Sequence, residues 1–300
     1  MYDLLMQFIP LTRLMRYEPM ARHTSFKTGG PAEIFATPKD EHEIKRISAL
    51  CRENNVPCTL LGRATNVLVP DKGLSGVVMQ LYPYFNGCTV NIKNNTITAQ
   101  SGLPLHTLAN IAYQNNLAGL SFASGIPGSV GGAVYMNAGA YGYDIASVCE
   151  SATLLTQAGE VLLVPANQME FGYRHSIAME NGCLILSATF RLQPGNQADI
   201  KELTDDLNGR RKKTQPLEYP SAGSVFKRPS GYYAGSLIAD CGLKGYTIGG
   251  AQVSGKHAGF IVNVGNATTD DVLRLIDHIQ RKVYAAFMVM LEPEIRILRR

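Results

Sequence analysis

Three hundred residues, 45% hydrophobic and 17% charged, can bury a sizeable core, which excludes disordered and fibrous classes. The 28 basic and 24 acidic side chains leave a net charge of +4. That is too little for a nucleic-acid-binding face and compatible with an anionic small ligand. Length alone predicts about two domains, with three small ones also possible. The apolar stretch from Leu4 to Met15, interrupted by Pro10 and Arg13, reads as a helical lead-in that packs on the body. It is too short to span a bilayer and lacks the flanks of a signal peptide. Elsewhere nothing approaches about 18 uninterrupted apolar residues, so a soluble protein with no membrane partner is expected.

Next in chain order, Thr37-Pro38-Lys39-Asp40 reads as an N-cap, a proline at the first helical position and an acidic third residue. Ile44, Ile47 and Cys51 then share one helical face. Val56 to Leu61 is a strand candidate that runs into Gly62, and Val67 to Val69 and Val77 to Leu81 are shorter ones. Val90 to Ile92 and Thr96 to Ala99 flank Asn94-Asn95 as a hairpin. Ser101 with Pro104 opens a helix whose apolar face is Leu105, Leu108, Ala109 and Ala112.

Beyond a Gly-rich stretch from Gly125 to Gly142 lies a second hairpin, Ala152 to Leu155 and Val161 to Val164 around Gln157-Ala158-Gly159. Leu184 to Leu192 is a further strand. Ile200, Leu203 and Leu207 mark a helix that ends in Arg210-Arg211-Lys212-Lys213, and Pro216 and Pro220 follow, so a domain boundary is placed there. The clearest helix carries Val272, Leu275, Ile276, Ile279 and Val283 behind a Thr268 cap with Asp271 three residues on. Glu294 to Leu298 alternates as a closing strand. Together these make an α+β fold, not a doubly wound sheet.

Six scattered cysteines (Cys51, Cys58, Cys88, Cys149, Cys183 and Cys241) show neither a CxxC pair nor zinc spacing. Reduced, mostly buried thiols and no metal site are expected. Chemistry concentrates instead in small-residue loops. Ser124-Gly125-Ile126-Pro127-Gly128-Ser129-Val130-Gly131-Gly132 followed by Asn137-Ala138-Gly139 is dense enough in glycine for backbone N–H groups to approach a pyrophosphate. Equally, it could be a pair of tight turns. It is neither a Rossmann fingerprint nor a Walker motif. Gly62-Arg63-Ala64-Thr65-Asn66 directly follows a strand, and His23-Thr24-Ser25-Phe26-Lys27-Thr28-Gly29-Gly30 forms a third such loop. Each is weak alone. Jointly they suggest a large phosphate-bearing cofactor held by backbone and hydroxyl groups.

These three loops, in this order, resemble the FAD-binding portion of the UDP-N-acetylenolpyruvoylglucosamine reductase (MurB) family. The resemblance continues through Phe171-Gly172-Tyr173-Arg174-His175-Ser176 and Pro220-Ser221-Ala222-Gly223-Ser224-Val225-Phe226-Lys227. It extends through Gly242-Leu243-Lys244-Gly245, Gly250-Ala251-Gln252-Val253-Ser254 and His257-Ala258-Gly259-Phe260 to Leu291-Glu292-Pro293-Glu294. In all it covers residues 17–298 and is similar to the branch without the extra substrate-covering loop. The family's fold is a two-part FAD-binding domain of the vanillyl-alcohol-oxidase (PCMH-like) type with a C-terminal α+β substrate domain. The resemblance thus implies FAD-binding parts over 1–80 and 81–208 and a substrate domain over 209–300.

By the same resemblance, FAD is the bound cofactor and NADPH the reductant. Residues 62–66, Ser124, Gly125, Pro127, Gly128, Ser129, Gly131, Gly132, Asn137, Ala138 and Gly139 would hold the FAD. The substrate would be UDP-N-acetylglucosamine enolpyruvate, a cell-wall precursor, reduced by a cytoplasmic enzyme expected to be a monomer. Arg174, in isolation a surface arginine, would bind the substrate carboxylate. Ser224, in isolation a turn residue, would donate the proton. Glu294, in isolation an edge-strand carboxylate, would stabilise the enol and is expected to carry a raised pKa. Tyr173, Lys227 and Gln252 are implied substrate contacts; Lys227, Lys244, Gln252 and His257 could grip the UDP phosphates or the substrate carboxylate, and are equally well read as solvated side chains or, for His257, a core histidine. Two departures stand out: Arg228 where some members carry Asn, and Ala64 where Gly is commoner. The alternatives are an FAD oxidase or dehydrogenase of the same fold, and a nucleotide-binding protein that has lost its chemistry.

Overall fold

In the computed structural model, which describes residues 1–299, the apolar lead-in is not one helix. Tyr2–Met6 is helical, Leu11–Arg13 is a single tight turn, and Leu14–Pro19 is a strand. Proline has no N–H and its ring clashes with the preceding turn, so a helix cannot run through Pro10. The apolar side chains are buried all the same, Leu5, Ile9 and Leu14 packing with Ile34, Ile47 and Val77.

The next helix, Glu41–Glu53, is capped by Asp40 and not by Thr37. The Asp40 carboxylate accepts the Glu43 N–H at 2.8 Å. Thr37 is committed elsewhere. Its N–H donates to the Arg13 carbonyl at 2.9 Å, and its own carbonyl accepts from Arg13 Nη1 at 2.9 Å. Arg13 also forks onto the Glu43 carboxylate at 2.6 and 2.8 Å, a buried two-bond pair that fixes the start of the helix. Ile44, Ile47 and Cys51 are buried along one face, as their spacing predicts.

The chain forms two compact units, one of residues 1–16, 34–63 and 76–210, the other of residues 17–33, 64–75 and 211 onward. In the first unit, Cys58–Leu61 runs parallel to residues 77–80 of the strand Leu74–Gln80, pairing Cys58 with Val77 and Leu61 with Gln80. A five-stranded antiparallel sheet follows, in the order Val161–Pro165, Cys149–Leu155, Leu184–Arg191, Thr96–Gln100, Cys88–Asn91. Both expected hairpins are present within it. The helix Leu105–Gln114 buries Leu105, Leu108, Ala109 and Ala112 against this sheet. A short helix, Val130–Tyr135, lies inside the glycine-rich stretch, for which the sequence offers a phosphate cradle or a pair of tight turns. The helix Gln197–Thr214 buries Ile200 and Leu207, but Leu203 is exposed and does not belong to the stripe.

In the second unit, a three-stranded antiparallel sheet (Thr247–Ile248, Ala251–Val253, Ile261–Asn263) packs beside the helices Ala234–Asp240 and Thr269–Phe287. The expected closing strand shrinks to Arg296–Ile297, paired in parallel with Val67–Leu68. The helix Thr269–Phe287 is doubly capped. Thr268 Oγ1 accepts the Asp271 N–H at 3.0 Å, and the Asp271 carboxylate accepts the Thr268 N–H at 3.1 Å. Asp71, almost 200 residues earlier, accepts the N–H groups of Thr269 and Asp270, both at 2.9 Å. All six cysteines are free thiols; three are buried and Cys58 is exposed. Among the described residues no helix is long and apolar enough to cross a membrane.

The N–H of Thr268, and less strongly that of Gly250, hold the Asp271 carboxyl below the usual carboxylate range. A carboxyl depressed in the fold stabilises fully above its unfolded value, near about 4, and that stabilisation is lost as pH falls through the folded value. Asp271→Asn is therefore expected to lose about 0.5–1 kcal/mol of capping at neutral pH. Urea titrations should show the gap from the parent narrowing below about pH 4. A gap independent of pH would contradict this.

Candidate active site

The parallel strand Cys58–Leu61 delivers the chain into Gly62 with no room for a side chain. A Cβ at Gly62 would stand 2.0 Å from Ser129 Oγ, and one at Gly131 would stand 2.6 Å from the Ser101 Cβ. Glycine at both positions leaves room for a serine side chain, that of Ser129 against Gly62 and that of Ser101 against Gly131. The loop from Gly125 to Gly132 is stitched to the segment before the helix Leu105–Gln114. Leu105 N–H donates to Gly128 O at 3.0 Å, Val130 N–H to Leu103 O at 2.8 Å, and Gly131 N–H to Ser101 O at 2.9 Å. Arg63 ties the two glycine loops together by donating to Pro127 O at 3.2 Å. Gln80, which the sequence reading missed, anchors Gly62 through its carbonyl at 3.1 Å.

Ser129 occupies the centre of this arrangement. It is 1% exposed, and its hydroxyl has no hydrogen-bond partner. A buried hydroxyl without a partner costs on the order of 1–3 kcal/mol, a cost that a ligand supplying the missing bond would remove. Together with the tight packing of Gly62 and Gly131 against serine side chains, this fits the phosphate-bearing cofactor that the loops imply. Ser124 is turned differently, its hydroxyl donating to Ser121 O at 2.8 Å and to Asn208 Oδ1 at 3.3 Å. It lines a cavity of about 260 Å³ with His106, Asn110, Tyr113 and Lys201. Burial, and then the charge of Arg63, hold His106 below the ordinary histidine range. His106 gives no motif signal; only its place at the start of a helix beside the loop reveals it.

Ala64, Thr65 and Asn66 belong to the second unit. Ala64 sits in the left-handed region at φ +49°, which explains why glycine is the easier residue there. Its carbonyl accepts the Ser25 N–H at 3.2 Å. The Asn66 amide donates to Glu294 O at 3.2 Å, and Asn66 O accepts the Arg296 N–H at 2.9 Å.

Arg174 lies in the first unit, in a tight turn where Gly172 and His175 exchange backbone hydrogen bonds at 3.1 and 3.2 Å. It too has a left-handed backbone, φ +56°, a conformation that non-glycine residues keep only when their surroundings enforce it. Its guanidinium donates to Gly139 O at 3.3 Å and lies 5.0 Å from the exposed Tyr173 ring. The carbonyl of Glu170, then the Glu180 carboxylate, raise the pKa of the neighbouring His175.

Ser224, Lys227 and Glu294 come together in the second unit on paired extended segments. Glu294 N–H donates to Val225 O at 2.7 Å and Lys227 N–H to Glu292 O at 2.8 Å, while Val225 N–H reaches Gly259 O at 2.9 Å. The Lys227 ammonium is paired with Glu292 at 2.5 Å. Gln252 donates to Thr247 Oγ1 at 2.9 Å across its own sheet. His257 behaves as a core histidine: its Nδ1 accepts the Gly259 N–H at 3.1 Å and burial lowers its pKa. Arg228 stacks over Tyr233, 4.0 Å from the ring centre. Among the described residues no cluster of His, Cys, Asp or Glu could hold a metal.

Residues 32–164 match the model of an FAD binding domain, and residues 215–298 match that of the C-terminal domain of UDP-N-acetylenolpyruvoylglucosamine reductase. A curated reductase of that name from Caldanaerobacter subterraneus subsp. tengcongensis is 48% identical over 296 residues, spanning 99% of this chain and 97% of its own. The chain belongs to the UDP-N-acetylenolpyruvoylglucosamine reductase family. The family's Clostridium perfringens member is 47% identical over 300 residues, covering 100% of this chain and 97% of its own. The crystal structure of the Thermus caldophilus reductase superposes with a TM-score of 0.81 at 31% identity, over 95% of this chain and 98% of that one. A 4-ethylphenol oxidase from Gulosibacter chungangensis, 16% identical with a TM-score of 0.51 over 64% of this chain and 42% of its own, shares the fold alone. The two-part FAD-binding fold of the vanillyl-alcohol-oxidase type is therefore the fold of this reductase family member.

Gly62→Ala would drive a methyl group into Ser129. Purified variant is expected to lose most of its bound flavin, read as the ratio of visible to 280 nm absorbance, while keeping the far-ultraviolet dichroism of the parent. Full flavin content would show that this contact is not part of the cofactor cradle.

Proposed function

We propose that this chain reduces UDP-N-acetylglucosamine enolpyruvate to UDP-N-acetylmuramate with NADPH as reductant, a cytoplasmic step in peptidoglycan synthesis carried out by a monomer. Full-length similarity to the reductases supports the reaction, and the unpartnered Ser129 hydroxyl in its glycine cradle is the single structural observation that supports the cofactor. Residues 1–80 and 81–208 are assigned to FAD and residues 209–300 to the nucleotide sugar.

When bound, FAD would supply the two-electron hydride-transfer chemistry between NADPH and the enolpyruvyl double bond. The protein supplies position and charge. Gly62, Arg63, Gly125, Pro127, Gly128, Ser129, Gly131 and Gly132 would hold the cofactor through backbone groups and one hydroxyl, with Ala64, Thr65, Asn66, Ser124, Ala138 and Gly139 completing the loops. Arg174 binds the substrate carboxylate with a guanidinium that cannot lose its charge, and favours the negative charge that hydride addition pushes into that group. Ser224 Oγ delivers the proton to the substrate carbon next to the carboxylate. A neutral hydroxyl suffices because its partner is a carbon base. Glu294, two residues from the Lys227–Glu292 pair, steadies the enol form; Tyr173, Lys227 and Gln252 contact the substrate.

Single-turnover reoxidation of the pre-reduced enzyme by the enolpyruvyl substrate tests the serine. Ser224→Ala should slow this step by about a hundredfold or more while leaving reduction by NADPH intact. Full-rate reoxidation with normal product would remove Ser224 from the chemistry. In the same assay, Glu294→Gln should alter the acid limb of the pH profile, and an unchanged profile would count against a proton-linked role for Glu294.

A further inference from the structure

Asn137 stands in the Asn-Ala-Gly motif that the family resemblance assigns to the cofactor, yet its side chain is fully engaged by the protein. It is 3% exposed. Its amide donates to Gly172 O at 2.9 Å and to Asp144 Oδ2 at 3.2 Å, and its carbonyl oxygen accepts the Ala146 N–H at 2.9 Å. Both donors and the acceptor are thus satisfied. Gly172 opens the strained turn that carries Arg174, and Asp144 closes the small hairpin in which Gly139–Ala140 pairs with Tyr143–Asp144. The Arg174 guanidinium rests on Gly139 O, in the first strand of that same hairpin. One amide therefore links the base of the arginine turn to the hairpin that receives the arginine's head. On the other side of the turn, Ser176 is wholly buried and its hydroxyl donates to Tyr135 O at 2.7 Å.

We propose that Asn137 is a positioning residue for Arg174, and that its side chain serves substrate reduction and not cofactor retention. This rests on the reading of Arg174 as the carboxylate-binding residue. The two-sided anchorage explains how a non-glycine residue keeps a φ of +56°: the turn is held at Gly172 by the Asn137 amide and at Ser176 by a buried hydroxyl. Asparagine is suited to the task. Aspartate would be almost the same shape but would set a carboxylate against the Asp144 carboxylate and the Gly172 carbonyl, replacing two donors with repulsion. Position 137 itself has φ +41°, which asparagine tolerates and glycine adopts freely. Glycine there removes the bridge and leaves the backbone undisturbed.

The test uses the flavin-loaded full chain in anaerobic stopped flow with Asn137→Asp, Asn137→Gly, Arg174→Ala and the Asn137→Gly/Arg174→Ala double variant. Flavin content and the rate of reduction by NADPH are expected to match the parent in both Asn137 variants. Reoxidation by the enolpyruvyl substrate should fall about tenfold or more, the scale expected when a reacting group is misplaced by a fraction of an ångström. The double variant should be no slower than Arg174→Ala alone, since the bridge acts only through the arginine. Loss of flavin, equal slowing of both half-reactions, unchanged reoxidation, or additive losses in the double variant would each overturn the proposal. If Asn137→Asp does not fold, Asn137→Gly decides alone, and its failure to fold as well would overturn a positioning role in favour of a purely structural one. Should Arg174→Ala itself leave reoxidation unchanged, the reading of Arg174 falls. Slowing in Arg174→Ala without slowing in the Asn137 variants removes this inference alone.

Discussion

The close packing of Gly62 against the Ser129 side chain is the constraint on which the proposed cofactor cradle depends. A strand must stop where its next residue has no side chain. A loop from another part of the sequence must also be tied down so that its serine hydroxyl is buried without a partner. The hydrogen bonds from Leu105, Val130 and Gly131 do the tying, and Arg63 and Gln80 brace the opposite side. Burying that hydroxyl is unfavourable in the free protein and would become favourable if a cofactor phosphate oxygen were bound to it, as proposed. Few charges are needed: a cofactor held by backbone and hydroxyl groups can be bound tightly in a chain whose net charge is only +4.

The groups assigned to the substrate are built on a different plan. Arg174, Ser224, Lys227 and Glu294 present side chains from short extended segments and tight turns, not from long helices or strand centres. Such segments carry little rigidity of their own. Each is held by specific bonds: the Gly172–His175 exchange and the Asn137 amide for the arginine, and the paired segments around Val225 and Glu294 for the serine and the acid. The left-handed backbone at Arg174 shows that this anchorage is strong enough to hold a conformation costing about 1–2 kcal/mol.

Much of this was legible from residue patterns. The helix Thr269–Phe287 declares itself through a five-residue apolar face and a capping box, and both hairpins through turn residues between alternating segments. What was hidden depends on contacts between distant residues. Thr37 reads as a cap until Arg13 claims it, and Asp40 does the work. The helix Val130–Tyr135 is concealed because Gly131 and Gly132 signal a turn, whereas Gly131 is there to let a helix sit against Ser101. Leu203 completes an apolar stripe on paper yet faces solvent. The motif around Asn137 cannot say which groups its side chain meets. That takes the fold.

A crystal structure of the flavin-loaded protein tests the central claim most directly. The cradle predicts a cofactor phosphate oxygen within about 3 Å of Ser129 Oγ, with the Gly62 and Gly131 backbones unmoved. A pyrophosphate bound elsewhere, with the Ser129 hydroxyl still lacking a partner, would contradict it.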